Sequence, residues 1–364
     1  MNAVREPITV GLSGGVDSAV AALRLLEAGH PVDALFMKNW EEDDDAEYCA
    51  AAQDLADAKA VAAHLGIELN AVNFASEYWD RVFENFLHEY RAGRTPNPDI
   101  LCNREIKFRA FLDHALSRGA AAIATGHYAR IEMRDGRAEL HRGRDEDKDQ
   151  TYFLHTLDAD VLARARFPLG ELTKPGVRAI ARAAGLPNHD RRDSTGICFI
   201  GERRFADFLG RYVERAPGPI ETVDGAVIGE HAGLAFYTLG QRQGLGVGGV
   251  AGAREAAWYV VAKEPARNAL IVAQQHDHPR LMHTRLTTDP AHWIDGTAPD
   301  VEFRASARIR HRQPLQACVV HAGNPDGRLD VAFDAPQRAA TPGQSVVFYA
   351  GTRCLGGAVI DRVP

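Results

Sequence analysis

The chain is 364 residues long and 45% hydrophobic, which exceeds an ordinary single domain of about 100–200 residues and calls for two or three cores. No apolar stretch approaches the roughly 18 residues of a membrane span and Met1 to Pro7 lacks a signal-peptide pattern, so a cytoplasmic protein is expected. The net charge of −7 lies wholly in residues 1–50, which hold ten acids and three bases against 39 of each in the remainder, so it does not exclude a nucleic-acid partner.

The first elements alternate. Strands are predicted at 7–12, 32–37, 67–73 and 120–125, and helices at 18–28, 46–65, 76–91 and 104–118, with Gly29, Gly66, Gly93 and Gly119 just past the helix ends. This is the pattern of a doubly wound α/β domain with a parallel sheet. Ligands of such sheets collect at the carboxyl ends of strands, which directs residues 11–18, Met37 and Thr125-Gly126-His127-Tyr128 to one cleft. The acidic run Glu41 to Asp45 reads as a solvated loop.

Residues 11–18 are Gly11-Leu12-Ser13-Gly14-Gly15-Val16-Asp17-Ser18, between the apolar run Ile8 to Val10 and the helix-forming run from Ala19. A glycine turn feeding a helix start brings backbone N–H groups and the positive helix end to an anion. Ser13 and Ser18 add hydroxyls, and Asp17 is the expected Mg²⁺ ligand. The Walker A pattern demands a lysine after the glycines and none is present, which argues against a kinase or GTPase. The loop instead resembles the PP-loop of the ATP pyrophosphatases, which implies ATP cleaved between the α and β phosphates.

Further along, a hairpin is predicted over 129–142, with its turn at Arg134-Asp135-Gly136, and helices over 158–166 and 174–185. Three domains are expected: 1–205 catalytic, 206–275 small and mostly β, and 276–364 a β-barrel. The glycine-rich segment 244–249 reads as a connector, since no helix pattern follows it. Arg304, Arg308, Arg310 and Arg312 are expected to share one strand face as a basic stripe, with Arg142, Arg144 and Lys148 as further phosphate contacts.

Five cysteines without a C-x-x-C pair exclude a disulfide framework and a tetrathiolate metal site. Cys49, Cys318 and Cys354 read as small buried hydrophobes. Cys102 follows Pro96 and Pro98 and precedes a helix expected near Asn103, with Arg104 and Lys107 close by, surroundings that favour thiolate. Cys198 lies in Asp193-Ser194-Thr195-Gly196-Ile197-Cys198, a polar turn.

Taken with the nucleotide loop, the segments Thr95-Pro96-Asn97-Pro98-Asp99-Ile100-Leu101-Cys102-Asn103, Thr125 to Arg130, Asp147 to Phe153, Asp193 to Arg203 and Gly240 to Gly246 resemble the bacterial tRNA-specific 2-thiouridylases, in order over nearly the whole chain. The resemblance implies a tRNA-uridine 2-sulfurtransferase that uses ATP and Mg²⁺. It implies Cys198 as persulfide carrier, Cys102 as nucleophile, a transient Cys102–Cys198 disulfide, and Asn97, Pro98 and Asp99 at the target uracil, Asp99 also being counted as catalytic. His127, Lys148, Asp149, Gln150, Arg310, His311 and Gln344 would meet tRNA. The family often carries Tyr at the position of His311. Partners implied are tRNA and a cytosolic persulfide donor, acting on a monomer. Sulfur would reach the base by direct persulfide attack or as hydrosulfide released by Cys102. Two rival readings are a PP-loop ligase or amidotransferase that adenylates a small molecule, and a non-enzymatic RNA-binding module.

Overall fold

The computed structural model describes residues 5–41, 50–193, 205–247 and 256–364. Its first sheet is parallel throughout, in the order β3-β2-β1-β4-β5, with β1 (Ile8–Gly11), β2 (Val32–Lys38), β3 (Leu69–Asn73), β4 (Ala122–Ala124) and β5 (Ala165–Arg166). Val10 sits opposite both Ala34 and Ala124, so the central strand is buried on each side. The first four strands fall where alternation predicts them. The fifth is a two-residue pairing at the end of the segment expected to be helix 158–166, where the helix covers only Ala159–Ala163.

Five helices surround this sheet or project from it: α1 (Val16–Glu27), α2 (Ala50–Leu65), α3 (75–91), α4 (98–117) and α5 (Lys174–Ala183). Both α3 and α4 widen into a π-turn, over Trp79–Phe83 and Cys102–Ala110 respectively. Helix α4 starts well before the expected residue 104, because Asn97 accepts the Asp99 amide at 3.2 Å and Pro98 occupies the first turn. An asparagine cap followed by proline is a helix-start signal, and it lies ahead of the start expected near Asn103.

A second sheet has the order β8-β9-β6-β7, from β6 (Gly218–Thr222), β7 (Val227–His231), β8 (Tyr259–Glu264) and β9 (Ala269–Ala273). Six strands after residue 281, β10 (Met282–Thr288), β11 (Glu302–Arg308), β12 (Gln316–His321), β13 (Asp330–Arg338), β14 (Ser345–Ala350) and β15 (Arg353–Arg362), form an antiparallel barrel closed by pairing of β10 with β15, and the two-residue strand His292–Trp293 adds to β15. The hairpin of Ala129–Arg134 and Arg137–Arg142 joins this barrel, since Arg353 and Cys354 pair with His141 and Leu140. The largest apolar cluster follows the same seam, with Phe83, Phe86, Cys102, Phe108, Tyr152 and Tyr349 in one continuous core. The thiol-bearing helix therefore packs in the same core as the barrel.

Candidate active site

Gly14 takes φ +77°, and a Cβ there would lie 2.4 Å from the Asp54 carbonyl, so both conformation and space require glycine. Gly15 precedes α1, and no side chain caps that helix. The amides of its first turn have no intrahelical acceptor and face outward as anion donors. Ser18 Oγ receives the Ser13 amide at 3.2 Å and donates to the Gly15 carbonyl at 3.0 Å, which shapes the loop. Leu12 and Val16 are buried, so only their backbone serves the loop. Gly11 leaves room for Met37, whose Cε would stand 3.2 Å from an added Cβ. At Gly126 a Cβ would meet the Asp17 carbon and the Ser18 nitrogen at 2.8 Å, so the loop after β4 rests directly on the start of α1. Residues 11–18, Met37 and Gly126 are thereby brought to one end of the sheet.

Asp17, the expected magnesium ligand, is bonded by two side chains of the protein. Its two oxygens accept Lys174 Nζ at 2.8 and 2.9 Å, and one also accepts the Tyr128 hydroxyl at 2.9 Å. The described residues contain no cluster of three or more acidic, His or Cys side chains that would hold a metal. Both Asp17 oxygens are taken up within the protein, and a Mg²⁺ ion that enters with ATP would draw most of its ligands from phosphates and water. Lys174 continues to Asp193 at 2.6 Å, which also receives Lys148 at 2.8 Å and Arg178 at 2.7 Å. Burial works to raise the Asp193 pKa, yet the hydrogen bonds from Lys148 and Lys174 outweigh it and hold the carboxyl at about 2. Nearby, Asn188 donates to the Gly14 carbonyl at 2.8 Å, and Arg191 pairs with Asp54 and Asp57. Residues 188–193 are thus braced on the nucleotide loop. Cys198 lies outside the described residues, as do Cys49 and most of the acidic run.

The segment ahead of Cys102 is tied to the barrel. The Thr95 amide donates to the Pro342 carbonyl at 2.9 Å, and Gln344 Nε2 donates to the Thr95 carbonyl at 2.7 Å. Gly343, with φ +91°, allows this approach, since a Cβ would lie 2.8 Å from the Thr95 nitrogen. Cys102 itself stands in the second turn of α4, not at a helix start, and is fully buried in the aromatic core. Arg104 and Arg109 bond Glu105 at 2.8 and 2.9 Å, so the Arg104 charge expected near the thiol is shared with that carboxylate. Beside it, a cavity of about 280 Å³ at the seam is lined by Asn97, Pro98, Leu101, Arg104, His155 and Ser345.

Most side chains expected at tRNA serve the protein's own interior. His127 is 7% exposed, bonds Thr125 Oγ1 at 2.7 Å and packs near Phe108 and Phe167; burial, aided by Lys107, holds it neutral. The Asp149 side chain has no exposed surface, and it accepts Arg308 at 2.9 Å and the Thr151 hydroxyl at 3.0 Å. Gln150 accepts the Tyr128 amide at 2.9 Å. Arg310 donates to the Leu239 and Ala339 carbonyls, joining the second sheet's domain to the barrel. His311 donates from Nε2 to the Asp149 carbonyl at 2.8 Å, and its ring lies 4.4 Å from that of Phe153. Lys148 keeps a third of its side chain exposed beside Asp193. The expected arginine stripe is corrected, because barrel closure buries Arg308, Arg304 pairs with Asp334, and Arg310 and Arg312 lie beyond the end of β11. Lys174 and Asn188 are the residues at the nucleotide loop that sequence reasoning missed. Single polar residues joined only by long-range folding leave no local pattern to read.

Comparison with known proteins gives three consecutive matches: residues 6–202 to the tRNA methyl transferase HUP domain, 206–274 to the tRNA methyl transferase PRC-barrel domain, and 283–360 to the aminomethyltransferase β-barrel domain. The tRNA-specific 2-thiouridylase MnmA of Alkalilimnicola ehrlichii is 62% identical over 360 residues, covering 99% of this chain and 98% of that protein. Proteins of the same name from Alcanivorax borkumensis and Methylococcus capsulatus are 59% and 58% identical, each covering 98% of this chain and 97% of its own length. With a glycine cradle at the sheet's carboxyl end and matches along its whole length, the chain belongs to the tRNA-specific 2-thiouridylase family.

Proposed function

We propose that the protein is a tRNA-uridine 2-sulfurtransferase that converts the wobble uridine of certain tRNAs to 2-thiouridine, with AMP and pyrophosphate as the other products. The observation that carries this reading is end-to-end similarity to thiouridylases together with a nucleotide loop whose Gly14 admits no side chain. Carbon 2 of uracil holds an amide-like oxygen, a poor leaving group. Transfer of AMP to that oxygen makes it one, while the amides of residues 13–18 and the start of α1 hold the departing pyrophosphate. The residues fit ATP through this cradle, with Met37 and Gly126 at its margins. No step is assigned to a resident Mg²⁺.

Asn97, Pro98 and Asp99 stand at the head of α4, where a base splayed from a single-stranded anticodon loop would meet them. Sulfur leaves a Cys198 persulfide as the C2 substituent, AMP departs with the oxygen, and the two thiols are oxidised to the Cys102–Cys198 disulfide. A cytosolic thiol reductant then restores both. Asp193 is five residues from Cys198, a reach of at most about 18 Å, and it is bonded through Lys174 to Asp17 of the nucleotide loop. Cys102 is fully buried, so its attack on the Cys198 sulfur requires α4 to shift during turnover. The reading is tested by mass analysis of tRNA nucleosides after incubation with ATP, unmodified tRNA and a persulfide donor. It requires 2-thiouridine, lost in Cys198→Ser; ATP cleavage on small molecules without tRNA, undiminished in that variant, would refute it.

A further inference from the structure

The nucleotide loop has no lysine of its own, yet the fold places one against it. Lys174 opens α5 directly after the capping Thr173, and α5 packs on α1, with Val177 and Ala181 in one core with Val16, Ala19 and Val20. The side chain is 10% exposed. Its ammonium lies within 2.9 Å of both Asp17 oxygens, and Asp17 belongs to the first turn of the helix that ends the loop. Its other partner, Asp193 at 2.6 Å, comes from the separate segment 188–193 and is shared with Lys148 and Arg178.

We propose that Lys174 is the phosphate-binding cation of this loop, taking the pyrophosphate portion of ATP, and that Asp193 occupies it as a displaceable anion when the nucleotide is absent. The inference rests on the ATP reading above. Three cations, Lys148, Lys174 and Arg178, converge on the Asp193 carboxylate, while Asp17 and Asp145 face the two lysines from the other side, so the cluster is balanced in charge and a polyanion that displaces Asp193 inherits its three positive partners. A phosphate on the loop gains the ammonium together with the helix-end amides, which Asp193 does not reach, so phosphate and Asp193 compete for one group. The lysine also supplies at Asp17 the positive charge that a resident metal would otherwise bring.

The test is calorimetric titration of the full chain with pyrophosphate, ATP and AMP, with melting curves to confirm folding. Lys174→Met should weaken pyrophosphate and ATP about tenfold or more while changing AMP much less, and Lys174→Arg should restore part of the loss. Asp193→Asn should tighten pyrophosphate by about threefold or more, a gain no purely structural lysine would produce. Wild-type affinity for pyrophosphate in folded Lys174→Met, or weaker pyrophosphate binding in Asp193→Asn, overturns the inference alone. A wild-type protein that binds neither ATP nor pyrophosphate overturns the nucleotide reading beneath it as well.

Discussion

Gln344 and Thr95 are joined by a 2.7 Å hydrogen bond that fastens a barrel turn to the segment leading into the Cys102 helix. The bond connects the barrel to the segment ahead of α4 without passing through the nucleotide loop. In Gln344→Ala the Thr95 carbonyl loses that donor, and Cys102 should become more accessible. Alkylation of Cys102, followed by peptide mass mapping, should be about three- to tenfold faster than in wild type, as expected for loss of one hydrogen bond worth roughly 1 kcal/mol. An unchanged rate would show that the contact does not restrain the helix.

The Arg308–Asp149 pair lies with both side chains at 5% exposure or less, between the barrel and the segment after the hairpin. Removing one partner leaves a buried charge. Arg308→Met should therefore destabilise by about 3–5 kcal/mol in urea unfolding, and the double variant Arg308→Met with Asp149→Asn should recover part of that loss. Equal losses in single and double variants would contradict the assignment.

Legibility followed the range of the interactions. The parallel sheet, the barrel and the glycine loop were readable because alternation, helix stops and the 11–18 pattern are local. The start of α4 was misplaced although Asn97-Pro98 carried the signal, and Arg308 was read as exposed because strand alternation does not say which face a closed barrel buries. Lys174 was invisible for a different reason: its partners lie 157 and 19 residues away, and only packing of α5 on α1 unites them.

Gly14→Ala combines a strained φ of +77° with a Cβ placed 2.4 Å from the Asp54 carbonyl. Loop displacement is unavoidable. The variant should lose ATP binding about 100-fold or more by equilibrium dialysis while losing roughly 1–3 kcal/mol of stability. Gly29→Ala provides the control, since its positive φ has open space around it.

Burial pushes Lys263 down from 10.5 to about 8, while its ammonium donates to the Gly93 carbonyl at 3.2 Å. Between these two values the unfolded chain binds the proton that the folded chain has released, so stability contributed by this group rises with pH from about 8 to 10.5. Below pH 8 both states are protonated and the burial penalty is fully present. Lys263→Met should remove that rise, so the difference in unfolding free energy between wild type and variant should narrow or change sign across the window. A pH-independent difference would contradict the placement of Lys263.

The central claim, that Cys102 and Cys198 together complete sulfur transfer at an ATP-activated uridine, is tested most directly by single turnover of persulfide-loaded protein with tRNA and ATP, quenched with an alkylating agent and mapped by mass spectrometry. One 2-thiouridine per loaded persulfide, formed together with a Cys102–Cys198 disulfide and absent in Cys102→Ser, is the predicted result. Thiouridine made at the wild-type rate by Cys102→Ser, or made with both thiols still reduced, would contradict it.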